Sequence, residues 1–198
     1  MQYTESDLDF TFPPPWQVIA FDKHRFYQYV NGHGLRGVDF IGVHPEFGCF
    51  LLEVKNYRLR FGDQLPDKVL QYLDNPALLA LVLKGKFEDS IRLLHAVQLF
   101  LERKWWYRFA CKNAWYRKIF VSKENNFWIA FFNAFNTLPI HLWACMDSGP
   151  SRHLQFENAW KLGGLLDELN RFFPDEKIRL FSSYDHAFQE AFFLRVKA

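Results

Sequence analysis

The chain has 198 residues and a mass of 23.7 kDa, which suits a single domain with at most a short appended segment. Hydrophobic residues make up 49% and charged residues 23%, which excludes wholesale disorder, and the formal net charge of +2 does not by itself indicate a nucleic-acid partner. Aromatic residues are unusually frequent at 19%, and this predicts either a large, stiff core or an aromatic-lined surface.

Three consecutive prolines, Pro13–Pro15, predict a stiff segment just before the first predicted helix. Apolar residues at near-helical spacing then predict a helix over 16–30, which the turn residues Asn31-Gly32 would end. A strand over 26–30 is the alternative, because that run is rich in β-formers.

Two short apolar runs predict strands over 37–43 and 49–57, joined by a turn over 44–48. The rest of the chain is predicted to contain both helices and strands. The predicted elements there are helices over 67–107 (interrupted at 75–76 and 85) and 158–173, and strands over 127–135, 140–146, 178–181 and 192–196.

This order of elements predicts one mixed α/β domain over residues 16–198, with a helical insertion at about 67–120 and an N-terminal extension over 1–15. The apolar run 127–146 lacks Asp, Glu, Lys and Arg and is long enough to span a membrane. Its central Asn-Thr-Leu-Pro favours instead a turn between two buried strands, so no membrane partner is expected. The polar, acidic N-terminus shows no secretory signal, and three widely separated cysteines fit a reducing, cytoplasmic location.

A Glu-Val-Lys sequence ends the apolar strand predicted over 49–57. Side chains alternate along a strand, so Glu53 and Lys55 point to the same face. Burying both charges is costly unless they form an ion pair or line a site, and both interpretations stay open. Asp39, in the preceding strand, would approach Glu53 if the two strands are neighbours, and two such carboxylates could share a divalent cation.

The acid-x-Lys pattern alone has little specificity, because it occurs three times in the chain, beginning at Glu53, Glu102 and Asp175. The second lies in a charged helix end and the third follows a proline. Only the first ends an apolar strand and has an aspartate in the strand before it.

The segments Gly37–Ile41 and Phe50–Arg58 resemble the PD-(D/E)xK nuclease superfamily over about residues 16–72. The resemblance implies a restriction-endonuclease-like core, in which helices flank a central mixed β-sheet. It also implies that Asp39 and Glu53 bind Mg²⁺ or Mn²⁺ with help from the carbonyl of Val54. Lys55 would then position the attacking water for phosphodiester hydrolysis.

The resemblance also implies auxiliary positions, with departures from the family pattern. Val38 replaces the proline before the aspartate, and Asp22 is the one acid in the region 16–30 where many members supply another. Lys68 and Gln71 stand where relatives often place a polar helix residue near the metal.

A basic, aromatic segment between residues 102 and 123 favours a nucleic-acid partner, since cations contact phosphates and rings stack on bases. An equally weighted alternative is that the rings are core and the cations lie at its edge. The candidate nucleic-acid contacts are Lys104, Arg108, Lys112, Arg117 and Lys118, with Arg58 and Arg60 extending them.

The sequence therefore predicts a metal-dependent, nuclease-like domain acting on nucleic acid, with DNA as the expected substrate. The alternative is a catalytically silent module on the same fold that binds nucleic acid or another protein. A homodimer or a protein partner held by surface rings is a further possibility.

Overall fold

The computed structural model describes residues 1–30, 34–57, 67–147, 164–192 and 194–197. The strands are β1 (Gln2–Glu5), β2 (Leu8–Thr11), β3 (Gln17–Ala20), β4 (Phe40–His44), β5 (Gly48–Asn56), β6 (His141–Asp147), β7 (Lys177–Phe181) and β8 (Arg195–Lys197). The helices are α1 (Arg25–Val30), α2 (Asp67–Asp74), α3 (Pro76–Glu102), α4 (Trp105–Lys112), α5 (Ala114–Phe120), α6 (Lys123–Thr137), α7 (Leu165–Phe172) and α8 (His186–Ala191).

A five-stranded mixed sheet in the order β3-β4-β5-β6-β7 forms the centre of the molecule. Strands β3, β4 and β5 pair antiparallel, whereas β6 runs parallel to both β5 and β7. Strand β5 is therefore central, with β4 on one side and β6 on the other. The predicted class, a mixed α/β domain with a central mixed sheet flanked by helices, is confirmed.

The two faces of this sheet bury separate cores. Residues such as Leu51 face a cluster that includes Phe87 of α3 and Phe131 of α6. Phe50, one residue earlier on β5, faces the opposite cluster with Phe10 of β2 and Trp143 of β6. The alternation of a strand accounts for this division, and it places every second side chain of β5 beneath α3 and α6.

The N-terminal segment expected as an extension contributes to the second core. Strands β1 and β2 pair with each other and then with β8 in a three-stranded sheet. Leu8 and Phe10 of β2 are fully buried.

The predicted helix over 16–30 is wrong in its first half. Gln17–Ala20 is a strand that pairs with Phe40–Val43, and only Arg25–Val30 is helical. Over so short a run, the same apolar spacing fits either a helix or a strand. Pairing with β4 at the edge of the sheet favours the strand.

The predicted strand over 127–135 is also wrong, because the segment lies in α6. Ser122 caps this helix by accepting a hydrogen bond from the Asn125 amide at 3.2 Å. The aromatic residues that suggested a strand follow helical spacing and are buried between the helix's neighbours and the sheet: Phe127, Trp128, Phe131, Phe132 and Phe135.

The predicted interruption at 85 is wrong, because α3 runs without a break from Pro76 to Glu102. Most of the other predictions agree with the structure. The strands predicted over 37–43, 49–57, 140–146 and 178–181 correspond to β4, β5, β6 and β7, and the helical insertion at 67–120 corresponds to α2–α5. The strand predicted over 192–196 is shifted to β8, and residues 158–163 of the last predicted helix lie outside the described residues. Within the described ranges, no helix is both long and apolar enough to cross a bilayer.

Two glycines offer a matched test of this packing. A methyl group at Gly42 would overlap the Phe50 ring across the β4–β5 pair and would come within 3.0 Å of Val18. A methyl group at Gly85 in α3 would lie 3.6 Å from Arg36, an ordinary contact. We therefore expect Gly42→Ala to destabilise the fold by about 1–3 kcal/mol and Gly85→Ala to stabilise it by about 0.5–1 kcal/mol.

Urea unfolding of the two variants beside the wild type measures both changes. Equal stability of Gly42→Ala and the wild type would contradict the packing between β4 and β5.

Candidate functional site

The β4–β5 pair brings Asp39 and Glu53 to neighbouring positions. Asp39 immediately precedes β4, whose first residue, Phe40, pairs with Leu52. The same antiparallel register carried one residue further puts Asp39 opposite Glu53, and opposite residues point to the same face. Both carboxylates therefore lie on the sheet face that α3 and α6 cover.

Asp39 is held where the β4–β5 ladder ends. Its Oδ2 accepts a hydrogen bond from the Val54 backbone N–H at 2.6 Å. Burial raises the pKa of Asp39 to about 7, and repulsion from Glu53 adds to this rise, while Lys86 and the Val54 N–H act in the opposite direction. Without a bound cation, Asp39 is thus close to half protonated at neutral pH.

Glu53 is the most deeply buried charged group of the site, with no exposed surface. Its Oε1 accepts hydrogen bonds from the Lys55 ammonium at 2.5 Å and from the Lys86 ammonium at 2.6 Å. Its Oε2 is buried and has no hydrogen-bond partner within the described residues. A buried, unpartnered carboxylate oxygen is a suitable ligand atom for a hard cation.

Lys86 was not among the residues predicted from sequence, yet it contacts Glu53 as closely as Lys55 does. It comes from the middle of α3, which crosses the sheet face. Burial would lower the pKa of Lys86, but attraction to Glu53 and Asp39 outweighs burial and the pKa is raised. Lys86 is therefore a protonated ammonium that offsets the negative charge of Glu53 and Asp39.

One sequence signal for Lys86 does exist. The buried positions Leu79, Leu83, Ser90, Val97 and Leu101 recur at intervals of four or seven residues along α3. Position 86 falls in the same series, so a lysine there points toward the sheet rather than into solvent.

Asp22 lies beside this cluster, in the turn between β3 and α1. The neighbouring Phe21 N–H donates to the Asp39 carbonyl at 2.8 Å, which holds the turn against the site. Burial raises the pKa of Asp22, and repulsion from Glu5 adds to this, whereas Lys23 and Lys86 oppose it. Like Glu53, Asp22 has a buried oxygen, Oδ1, with no partner among the described residues.

The backbone of Val54 also faces the site. In an extended strand the N–H and C=O of one residue point toward the same neighbouring strand. Because the Val54 N–H donates to Asp39, its carbonyl is directed to the same side, just beyond the first residue of β4. The Asp39, Glu53 and Val54 oxygens together form an all-oxygen donor set, which suits Mg²⁺ or Mn²⁺.

Gln71 lies on the exposed side of α2 and is not brought to this cluster. Lys68 lies in the same helix, which precedes α3. Arg58 and Arg60 lie outside the described residues.

The basic, aromatic segment forms a separate surface. Lys104, Arg108, Lys112, Arg117 and Lys118 are all exposed. Along α3, 16 residues separate Lys86 from Glu102, where this segment begins, a distance of about 24 Å at 1.5 Å per residue.

The rings of this segment divide between core and surface. Tyr107 is buried, whereas Trp105 is 72% exposed and Trp115 is 69% exposed. Phe109, Tyr116, Phe120 and Trp115 form a connected row of rings with centroids 4.9–5.8 Å apart. Neither of the two interpretations from sequence describes the whole segment, because it supplies both core and surface rings.

Within the described part of the chain, no three His, Cys, Asp or Glu side chains are grouped closely enough to hold one metal ion. Any cation at the β4–β5 site would therefore depend on two carboxylates and backbone oxygen rather than on three acidic side chains. Comparisons of the chain with protein-family models, with curated proteins and with solved structures give no significant match.

The raised pKa of Asp39 makes fold stability depend on pH. Between the ordinary Asp pKa of about 3.9 and the folded value of about 7, the folded state holds a proton that the unfolded state releases. Stability from this group therefore falls as pH rises through that window. Asp39→Asn removes the titration but keeps an acceptor for Val54, so we expect it to be more stable than the wild type at pH 8, by about 2–4 kcal/mol.

Urea unfolding at pH 4 and pH 8 in EDTA measures this difference, which should nearly vanish at pH 4. Gly42→Ala, which changes packing but no charge, provides the control, since its stability should differ from that of the wild type by the same amount at pH 4 and pH 8. A pH 8 stability of Asp39→Asn below that of the wild type would show that Asp39 is not a strained carboxylate.

Proposed function

We propose that this protein catalyses metal-dependent phosphodiester hydrolysis of nucleic acid, with DNA as the expected substrate. Asp39, Glu53 and the Val54 carbonyl would hold Mg²⁺ or Mn²⁺, and Lys55 would position the attacking water. The observation that carries the proposal is the fully buried Glu53 carboxylate, which has one unpartnered oxygen and lies opposite Asp39 at the end of a central strand.

The chemistry expected of each residue follows from its surroundings. A divalent cation, when bound, would stabilise negative charge on the phosphoryl group and lower the pKa of a coordinated water. Asp39 would release its proton as a cation binds, because the repulsion that helps raise its pKa would be offset. The Lys55 side chain is 24% exposed and its ammonium contacts Glu53, so it can hold a water beside the carboxylates.

The fold supports the same proposal. An aspartate at the start of β4, a Glu-Val-Lys in the adjacent β5 and a mixed sheet covered by helices agree with a restriction-endonuclease-like core. Asp22 has a second buried and unpartnered oxygen, in the turn that the Phe21–Asp39 backbone hydrogen bond holds next to the site.

Glu53→Gln and Asp39→Asn test the proposal directly. Each keeps the size of the side chain but removes a charge that a cation needs, so we expect Mg²⁺-dependent cleavage to fall about a thousandfold or more, equivalent to about 4 kcal/mol of transition-state stabilisation. The assay is cleavage of single- and double-stranded DNA and of RNA, with Mg²⁺, Mn²⁺ or EDTA.

Glu46→Gln is the matched control, because Glu46 is exposed in the turn between the same two strands. Its activity should equal that of the wild type. Circular dichroism checks that Glu53→Gln is folded. If Glu53→Gln unfolds, the loss of cleavage is measured on Asp39→Asn instead. Wild-type protein that cleaves none of the substrates, or cleaves them as fast in EDTA, would refute the proposal.

A second function, a catalytically silent nucleic-acid-binding module, is favoured by Lys86. Two ammonium groups already contact Glu53, so the buried charge is compensated without a cation. The exposed rings of α4 and α5 would then provide the binding surface, because bases stack on aromatic rings and phosphates contact the neighbouring cations.

Replacing Trp105 and Trp115 with alanine tests this second function. Stacking contributes about 1–3 kcal/mol per base, so the double variant should bind single-stranded DNA at least tenfold more weakly in a gel-shift assay. Tyr29→Ala removes an equally exposed ring outside this surface and should bind as the wild type does. Unchanged binding by the tryptophan variant would exclude the ring surface as the interface.

A further inference from the structure

A cavity lies well away from Glu53, where α4, α5 and α6 meet the C-terminal end of α3. Its volume is about 470 Å³, which is within the range of sites that bind small molecules. The proposed hydrolytic site does not use it.

The charge of the cavity favours an anion. Arg108, Lys112 and Arg117 line it against a single carboxylate, Glu102. Glu102 accepts a hydrogen bond from the Gln98 amide at 2.8 Å, and none of the three cations forms an ion pair within the described part of the chain. The lining therefore carries a net charge of +2, which complements the −1.5 to −2 of a phosphate monoester.

The uncharged lining suits a nucleoside attached to that phosphate. Asn133 and Asn136 are one turn apart on α6, so their amides share a face that borders the cavity. Ile129, Phe132 and Tyr107 also line the cavity, but each is no more than 5% exposed, so they close its floor and leave little surface for a base to stack on. The Asn133 and Asn136 amides are therefore the groups that can hydrogen-bond base or sugar edges.

We propose that this cavity binds the terminal phosphate of a nucleotide, with Arg108, Lys112 and Arg117 holding the phosphate and α6 contacting the nucleoside. Arginine is well suited to the role, because its planar guanidinium makes paired hydrogen bonds to phosphate oxygens. The ligand is either a free mononucleotide or the phosphorylated end of a nucleic-acid strand. Binding there does not require hydrolysis at Glu53.

Isothermal titration calorimetry on the full chain tests the proposal with five probes: adenosine 5′-monophosphate, adenosine, inorganic phosphate, and one short oligonucleotide with and without a 5′-phosphate. We expect the phosphorylated probes that carry a nucleoside to bind at least tenfold more tightly than adenosine, inorganic phosphate and the unphosphorylated strand. Tighter binding of the mononucleotide would identify a free nucleotide as the ligand, and tighter binding of the phosphorylated strand would identify a strand end.

Arg117→Gln and Arg92→Gln remove the same charged group, but Arg117 lines the cavity, whereas Arg92 is exposed on α3 and does not line it. We expect Arg117→Gln to weaken binding of the phosphorylated probe at least tenfold and Arg92→Gln to change it less than twofold. Equal losses from the two variants would mean that surface charge alone attracts the ligand, and would overturn the proposal. So would equal affinity for phosphorylated and unphosphorylated probes, for inorganic phosphate and the mononucleotide, or no binding at millimolar concentrations.

Discussion

A carboxylate with no exposed surface lies in the central strand of the sheet, and the arrangement around it depends on that charge. An isolated buried carboxylate would cost many kcal/mol, so Glu53 requires compensation. Lys55 supplies it from the same strand face and Lys86 supplies it from α3. Both ammoniums contact one oxygen, which leaves the other without a partner in the described structure. The compensation is thus one-sided, because only one of the two carboxylate oxygens is paired.

At Asp39, a proton and a divalent cation would compete for the same carboxylate. Because its pKa is about 7, Asp39 is present in both protonated and ionised forms at neutral pH when no metal is bound. A divalent cation would favour ionised Asp39, and protonation would disfavour the cation, since both neutralise the same pair of carboxylates. Metal binding at this site should therefore strengthen as pH rises through 7, while the fold without metal weakens over the pH range just below it. The same residue would therefore link the stability of the fold to the binding of a cation.

The strand pair that carries Asp39 and Glu53 could be predicted because its signals are local. A five-residue turn joins two short apolar runs, and a period of two fixes which side chains share a face. Lys86 could not be found in this way, because its contact with Glu53 depends on how α3 crosses the sheet. Only its place in the apolar series of α3 indicated an inward direction. The segment of helix α6 was predicted to be a strand because its uncharged apolar run is followed by Asn-Thr-Leu-Pro, which is typical of a turn between buried strands. The cap at Ser122 and the helical spacing of the buried residues decide for a helix.

Helix α3 also fixes how far apart the two candidate sites are. The middle of α3 brings Lys86 to the buried carboxylates. Its last turns contribute Gln98 and Glu102 to the cavity between α3, α4, α5 and α6. The two positions are about 24 Å apart along the helix axis, which corresponds to about seven steps of stacked bases at 3.4 Å each. If both proposals hold, a mononucleotide would occupy only one site at a time, whereas a strand of more than about seven nucleotides would be long enough to reach both. A bound strand end would then set the distance at which the nucleic-acid strand is cut, because a continuous helix separates the two sites.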